Sequence, residues 1–316
     1  MKAVLHYRAG PQLRDRLRSV KTIEIVTVDE NDNASFRREI EAAEVLLHVL
    51  EPVTATMIEG AHKLRLIQKI GVGLNTIDRA AAAARGIKVA NMPGTNSAAV
   101  AEHTLMLMLA VLRQVVTLDA ATRRGTGWTL PPQALERSGE IGGRTVGLLG
   151  YGAVSRHLAP VLRALGARVI YHDRVRPPDD PPGYVSLESL VSEADILSLH
   201  IPLTDETHGL LGDEMIAKMK PGAILVNAAR GELVEEEALA TALRNGSLAG
   251  AALDVFATEP VTPNNPLLQL SNVVVTPHVA WLTPETIDRS LQVVVENVRR
   301  LQENQPLLHE ARFTPT

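Results

Sequence analysis

The stretch Val146-Gly147-Leu148-Leu149-Gly150-Tyr151-Gly152-Ala153-Val154-Ser155 runs as an apolar strand and then breaks on two glycines two residues apart. Leu158, Val161, Leu162 and Leu165 follow at helical spacing, and Val169-Ile170-Tyr171 reads as a second strand, after which comes the acid Asp173. A strand, a glycine turn, a helix and a second strand closed by a carboxylate are the parts of a dinucleotide site. Gly150 takes the tight turn, Gly152 lets backbone N–H groups approach a pyrophosphate at a helix N-terminus, and Asp173 accepts hydrogen bonds from a ribose diol. Two close glycines alone often do no more than end a strand; here the flanking strand, the helical run and the distance to the acid agree. Ser155 stands where a third glycine is usual for close helix-to-strand packing, and serine is small enough to fit.

Length leaves room for more than this one unit. With 316 residues, 45% hydrophobic and 22% charged, the chain is long for one core and comfortable for two. A net charge of −4 without any Lys/Arg block offers no footprint for a phosphate backbone, so nucleic acid is not an expected partner. Cysteine is absent, which removes disulfides, thiolate nucleophiles and thiolate metal sites; no metal is expected. The N-terminus Met1-Lys2-Ala3-Val4-Leu5-His6-Tyr7 alternates into a strand rather than forming a secretory leader. The greasiest run, residues 104–112, is too short to span a bilayer. A cytoplasmic protein with no membrane partner is the expectation.

Working outward from the glycine turn, strands are expected at residues 145–149, 168–171, 196–200, 223–227, 249–253 and 273–276, with helices between them, giving a doubly wound parallel sheet. Upstream, strands at 4–5, 23–28, 45–49, 66–70 and 88–90, with a helix at 80–84, form a second parallel α/β series. Asn91-Met92-Pro93-Gly94 breaks that series, and residues 97–121 read as one long helix, apolar on nearly every side, that bridges two domains or faces a subunit partner. A last helix at 284–301, with Ile287, Leu291, Val294, Val295 and Val298 at helical spacing, is placed to return to the first domain.

Ligands of an open parallel sheet bind outside the carboxyl ends of its strands, so the residues just after each strand carry the chemistry. Arg230, Asp254, Glu259 and His278 occupy such positions. Taken singly, each has a plainer reading: a surface pair for Arg230, a turn for Glu259-Pro260, a structural histidine after Thr276-Pro277. Together, a guanidinium, a carboxylate and an imidazole at the mouth of a nucleotide site are the parts for reducing a 2-keto acid. Arginine grips a carboxylate bidentately, histidine exchanges a proton near neutrality, and the neighbouring glutamate stabilises the charged ring. A second pair, Gly71-Val72-Gly73, offers either an anion nest for the substrate carboxylate or a plain strand-to-helix turn.

Read together, these residues resemble the D-isomer-specific 2-hydroxyacid dehydrogenase family from about Leu64 to the last helix. The motifs fall in order: Gly71-Val72-Gly73 to Ile77-Asp78; Asn91-Met92-Pro93-Gly94-Thr95-Asn96 with Val100-Ala101-Glu102; Gly150-Tyr151-Gly152; Asn227-Ala228-Ala229-Arg230-Gly231; Leu253-Asp254-Val255-Phe256 with Glu259-Pro260; and Thr276-Pro277-His278. The resemblance implies two doubly wound domains. The larger, residues 98–284, is a Rossmann NAD-binding domain. The smaller is a flavodoxin-like substrate domain made from both chain ends, residues 1–97 and 285–316. It also implies a homodimer with the helix from Ser97 near the interface, and a small 2-hydroxy or 2-keto acid as substrate.

Carried over residue by residue, the resemblance makes Arg230, Glu259 and His278 the catalytic set. Cofactor contacts fall at Gly150, Tyr151, Gly152, Ala153 and Val154; at Asp173 and Arg174; at Ile201, Pro202 and Thr207; at Ala228, Ala229 and Arg230; and at Asp254, His278 and Ala280. Substrate contacts fall at Val72, Gly73, Arg230, His278 and Trp281, although Trp281 reads equally well as packing. Asp173 favours NAD because a carboxylate repels a 2′-phosphate, while Arg174 and Arg176 leave NADP as the alternative. The chain stops soon after the last helix, so a regulatory domain of the kind some phosphoglycerate dehydrogenases carry is not expected. Two other functions stay open on the same fold: an NAD-responsive, corepressor-like binding protein, and a formate or phosphite dehydrogenase.

Overall fold

The computed structural model describes residues 1–311 apart from 137 and 180, so the last part of the expected segment 285–316, residues 312–316, lies outside the described residues. The chain divides into two compact units, one built from Met1–Asn96 and the stretch from Leu282 onward, the other from Ser97–Trp281.

In the smaller unit, β1 (Lys2–His6), β2 (Glu24–Val28), β3 (Val45–His48), β4 (Leu66–Lys69) and β5 (Lys88–Ala90) form one parallel sheet in the order β2-β1-β3-β4-β5, the flavodoxin-like order. β3 and β4 are buried along their whole length, as strands covered on both faces are, and the polar ends they carry, His48, Gln68 and Lys69, are buried with them. Asp32, Thr54 and Asp78 start the helices between strands by accepting backbone N–H groups. The last helix, Pro284–Gln302, starts on a Thr283 cap and buries Ile287, Val294, Val298 and Leu301 together with the polar Asn297. Asn297 Nδ2 donates to Gln68 Oε1 at 2.7 Å, and Gln68 Nε2 donates to Ala90 O at 3.1 Å. Beyond that helix, Glu310 pairs antiparallel with Ala90 and closes the β5 edge.

In the larger unit, β6 (Thr145–Leu149), β7 (Arg168–His172), β8 (Ile196–Leu199), β9 (Ala223–Asn227), β10 (Leu248–Leu253) and β11 (Val273–Val275) form a parallel sheet in the order β11-β10-β9-β8-β6-β7. Tyr184 adds a single parallel bridge beside Tyr171 in β7, and this rudimentary strand restores the Rossmann progression at that edge. Successive strand residues go to opposite faces. Leu149, Leu197, Leu199, Leu225, Ala251 and Leu253 belong to one core, whereas Val146, Leu148, Ile196, Ile224, Val226 and Ala252 belong to another. Two cores on one sheet make it doubly wound.

The expected single helix over 97–121 is two helices. Ser97–Leu112 ends at a polar break, and Val115–Arg123 leaves it at 63°. Gln114 adopts left-handed geometry (φ +50), its N–H bonded to Val111 O and its side-chain amide to Ala134 O, so the helical ladder cannot continue through it. In the helix Ala153–Ala164, Leu158 and Leu162 are buried, while Val161 is exposed, as is Leu165 just beyond its end. No single helix among the described residues is long and apolar enough to cross a membrane.

Candidate active site

β6 has β7 on one side and β8 on the other, so the connections from their carboxyl ends diverge and leave a crevice at that switch point. Gly150 turns the chain there at φ +93, and a Cβ on it would lie 2.6 Å from His200 O. Only glycine lets the two loops pass. Gly152 caps the helix Ala153–Ala164 without a side-chain hydrogen bond, and a Cβ built on it would meet open space, which leaves the first-turn amides facing outward for an anion. Ser155 is buried and donates to Gly150 O at 2.6 Å, so the serine in the third small position ties down the turn it was expected merely to tolerate.

Asp173 Oδ2 accepts the Tyr151 N–H at 2.7 Å, holding the end of β7 to the glycine turn. The Tyr151 ring is buried and stacks on Tyr171 at 3.9 Å, so this residue offers the crevice its backbone. Arg174 is exposed, and Arg176 lies 5.2 Å over the Tyr184 ring. After β8, Ile201 and Pro202 lead into a loop pinned by Thr207, whose hydroxyl donates to Pro202 O at 2.8 Å and accepts the Thr204 N–H at 2.8 Å. An exposed helix N-terminus, a close-passing glycine and a carboxylate at the neighbouring strand end fit a dinucleotide. No group of three or more His, Asp or Glu side chains among the described residues could hold a metal ion.

The second group of side chains hangs from β9, β10 and β11. Asn227, buried at the end of β9, donates to Arg230 O at 2.7 Å and accepts the Ala229 N–H at 3.0 Å, shaping the turn through Ala228 that presents Arg230. Burial lowers the Arg230 pKa from its ordinary value, with the charges of Glu232 and Glu259 opposing it. An arginine that starts so high stays charged. Glu259 is fixed at both oxygens: Oε1 accepts the Phe256 N–H at 2.9 Å, and Oε2 lies 2.6 Å from His278 Nδ1. The structure therefore brings Arg230, Glu259 and His278 together from three separate loops.

His278 itself is left-handed, at φ +54. That conformation is uncommon outside glycine and persists only where its surroundings enforce it. The Asp254 carboxylate, fully buried, accepts the N–H groups of Val279 at 3.0 Å and Ala280 at 2.9 Å, and Asp254 O accepts the His278 N–H at 2.7 Å. Trp281 is buried too, and its indole N–H donates to His278 O at 3.1 Å. Asp254, Ala280 and Trp281 thus sit behind the loop that carries the imidazole. Sequence reasoning passed over Thr276, Phe256 and His103 as supports of this loop. The histidine beside Glu102, at the edge of the apolar run 104–112, was the visible sign of the last.

Val72 and Gly73 belong to the smaller unit. They follow β4 in a turn that starts at Gly71 (φ +130), where Val72 O accepts the Asn91 side-chain amide at 2.9 Å and Gly71 O accepts the Met92 N–H at 2.8 Å.

A two-unit parallel α/β chain with a dinucleotide crevice and a paired His–Glu near a partly buried arginine has the construction of a nucleotide-dependent oxidoreductase. Comparison with known proteins names the family. The NAD-binding domain of D-isomer specific 2-hydroxyacid dehydrogenases matches residues 105–280. A glyoxylate reductase of Korarchaeum cryptofilum is 40% identical over 253 residues, covering 78% of this chain and 76% of that protein. A D-3-phosphoglycerate dehydrogenase of Mycobacterium leprae is 42% identical over 282 residues, covering 88% of this chain and 52% of that protein, so the chain spans about half the length of that relative. A solved structure of a Thermus thermophilus protein superposes with a TM-score of 0.88 at 38% identity, covering 99% of this chain and 100% of that one. The chain belongs to the D-isomer specific 2-hydroxyacid dehydrogenase family, and it is an oxidoreductase that uses NAD.

Proposed function

We propose that the protein interconverts a short D-2-hydroxy acid and its 2-keto acid, with His278 as the acid–base group, Glu259 as its orienting carboxylate and Arg230 as the grip on the substrate carboxylate. The observation that carries this reading is the 2.6 Å contact between His278 Nδ1 and Glu259, which commits one ring nitrogen to the carboxylate and leaves Nε2 for substrate. NAD, when bound, supplies or accepts the hydride. During reduction, His278 Nε2 donates a proton to the oxygen that develops from the carbonyl, and Glu259 stabilises the imidazolium before that transfer. In the reverse direction the neutral ring takes the hydroxyl proton. Arg230, charged and partly buried, orients the substrate and draws electron density from its carbonyl. Residues 1–97 with the C-terminal helix serve as the substrate domain, and within it the amides of Val72 and Gly73 are the groups suited to a substrate carboxylate.

Gly150, Tyr151, Gly152, Ala153 and Val154 would hold the cofactor, with Asp173 as acceptor for its ribose diol and the loops after β8 and β9 supplying further contacts. NADH oxidation with glyoxylate, hydroxypyruvate and larger 2-keto acids tests the proposal, with formate and phosphite as reverse-direction controls. Measurable NADH binding with no turnover of any 2-keto acid overturns it.

A homodimer belongs to the same proposal. The helices Ser97–Leu112 and Val115–Arg123 and the turn that follows expose Met106, Leu109, Val115, Val116 and, at 85% exposure, Trp128. Apolar side chains concentrated in one stretch favour a second copy of the chain as partner. Light-scattering mass in solution tests this, with Trp128→Glu expected to shift the mass toward the monomer.

A further inference from the structure

Asp254 is reached by more than the two amides of the His278 loop. Thr276 Oγ1 donates to Asp254 Oδ1 at 2.5 Å, and His103 Nε2 lies 3.0 Å from that same hydroxyl oxygen and 3.5 Å from Asp254 Oδ1. Burial alone would raise the Asp254 pKa, yet hydrogen bonds from His103, Thr276, Val279 and Ala280 hold it below the ordinary carboxylate range. It is an anion and can only accept. Thr276 owns one hydroxyl hydrogen, and that hydrogen goes to the carboxylate. The oxygen facing His103 is therefore an acceptor, and His103 Nε2 carries the hydrogen between them.

The network runs from the helix Ser97–Leu112 to the loop after β11: His103 holds Thr276, Thr276 holds Asp254, and Asp254 holds the amides on the far side of the left-handed His278. We propose that His103 is a positioning residue for the acid–base histidine: by fixing the Thr276 hydroxyl on Asp254 it keeps the His278 backbone in the conformation that sets the ring against Glu259. The term acid–base rests on the reaction proposed above; the linkage itself rests on the geometry alone.

The test uses the full chain and two readouts. The proton between His278 Nδ1 and Glu259 Oε2, in so short a contact, gives a far-downfield proton resonance, assigned by its disappearance in Glu259→Gln. His103→Leu fills the space without a donor, whereas His103→Gln restores a donor at the ε position. His103→Leu is expected to broaden or erase the resonance and to lower kcat about tenfold with KM for the keto acid within about twofold, and His103→Gln to restore both. Thr276→Val is expected to reproduce His103→Leu, and the double substitution to add nothing further. Retention of resonance and kcat in His103→Leu overturns the proposal, as does identical behaviour of the Leu and Gln variants. If His103→Leu does not fold, Thr276→Val decides by the same two readouts. If the unaltered protein turns over no 2-keto acid, the proposed reaction fails while the resonance still decides the role of His103.

Discussion

A methyl group on Gly231 would fall 1.9 Å from the Phe256 carbonyl carbon and 2.1 Å from its oxygen. The loop that presents Arg230 therefore rests directly on the backbone of the loop that carries Glu259, and backbone cannot rotate away as a side chain can. Gly231→Ala is expected to push the two loops apart and lower kcat/KM about a hundredfold, the scale of a misplacement near 1 Å. Steady-state kinetics beside a thermal melt checks it, since the melt separates a displaced site from an unfolded one.

His278→Gln is expected to remove turnover, by about a hundred- to ten-thousandfold for loss of general acid–base help, with NADH affinity nearly unchanged. Glu259→Gln is expected to lower kcat in the same direction. NADH fluorescence titration beside the rate assay checks both, and an unchanged rate in His278→Gln removes that residue from the chemistry.

Asp173→Ala is expected to weaken NADH by about tenfold or more, because it removes a charged acceptor for the ribose and the Tyr151 N–H bond that holds the glycine turn. It also removes the repulsion of a 2′-phosphate beside the exposed Arg174. The preference for NADH over NADPH is expected to narrow, as measured by kcat/KM with each.

His200, just past the end of β8 and hydrogen-bonded to Ser198, has its pKa lowered by desolvation to about 4. The unfolded chain, with an ordinary histidine near 6.5, takes up that proton first. Stability from this group is therefore level above pH 6.5, falls as pH drops toward about 4, and is lower there by on the order of 3 kcal/mol. Denaturant unfolding at pH 7 and pH 4 checks it: His200→Gln is expected to lose less on acidification than the unaltered protein.

The strands, the glycine turn and the three reactive side chains were legible because each rests on a local pattern: an apolar run of strand length, glycines at a fixed spacing, a charged residue just past a strand. The break at Gln114 was not legible, because apolar periodicity continues across it and only the side-chain amide on Ala134 O reveals why the helix stops. The strand at Tyr184 is one bridge long and leaves no run to read. Ser155 and Trp281 were recognised as positions without their bonds, since hydroxyl to Gly150 O and indole to His278 O depend on rotamers that no spacing encodes. His103 needed the fold, because its partners Thr276 and Asp254 lie 173 and 151 positions away in the chain.

The Gln68–Asn297 amide pair joins residues 229 positions apart inside a single unit. During synthesis β1 to β5 leave the ribosome first, followed by the whole of the larger unit, and only then the helix that brings Asn297. Until it arrives, Gln68 Oε1 has to be served by solvent, so the first-made sheet stays unfinished while the later-made one can fold as soon as its own strands emerge. The smaller unit, begun first, is thus the last whose full complement of chain is available.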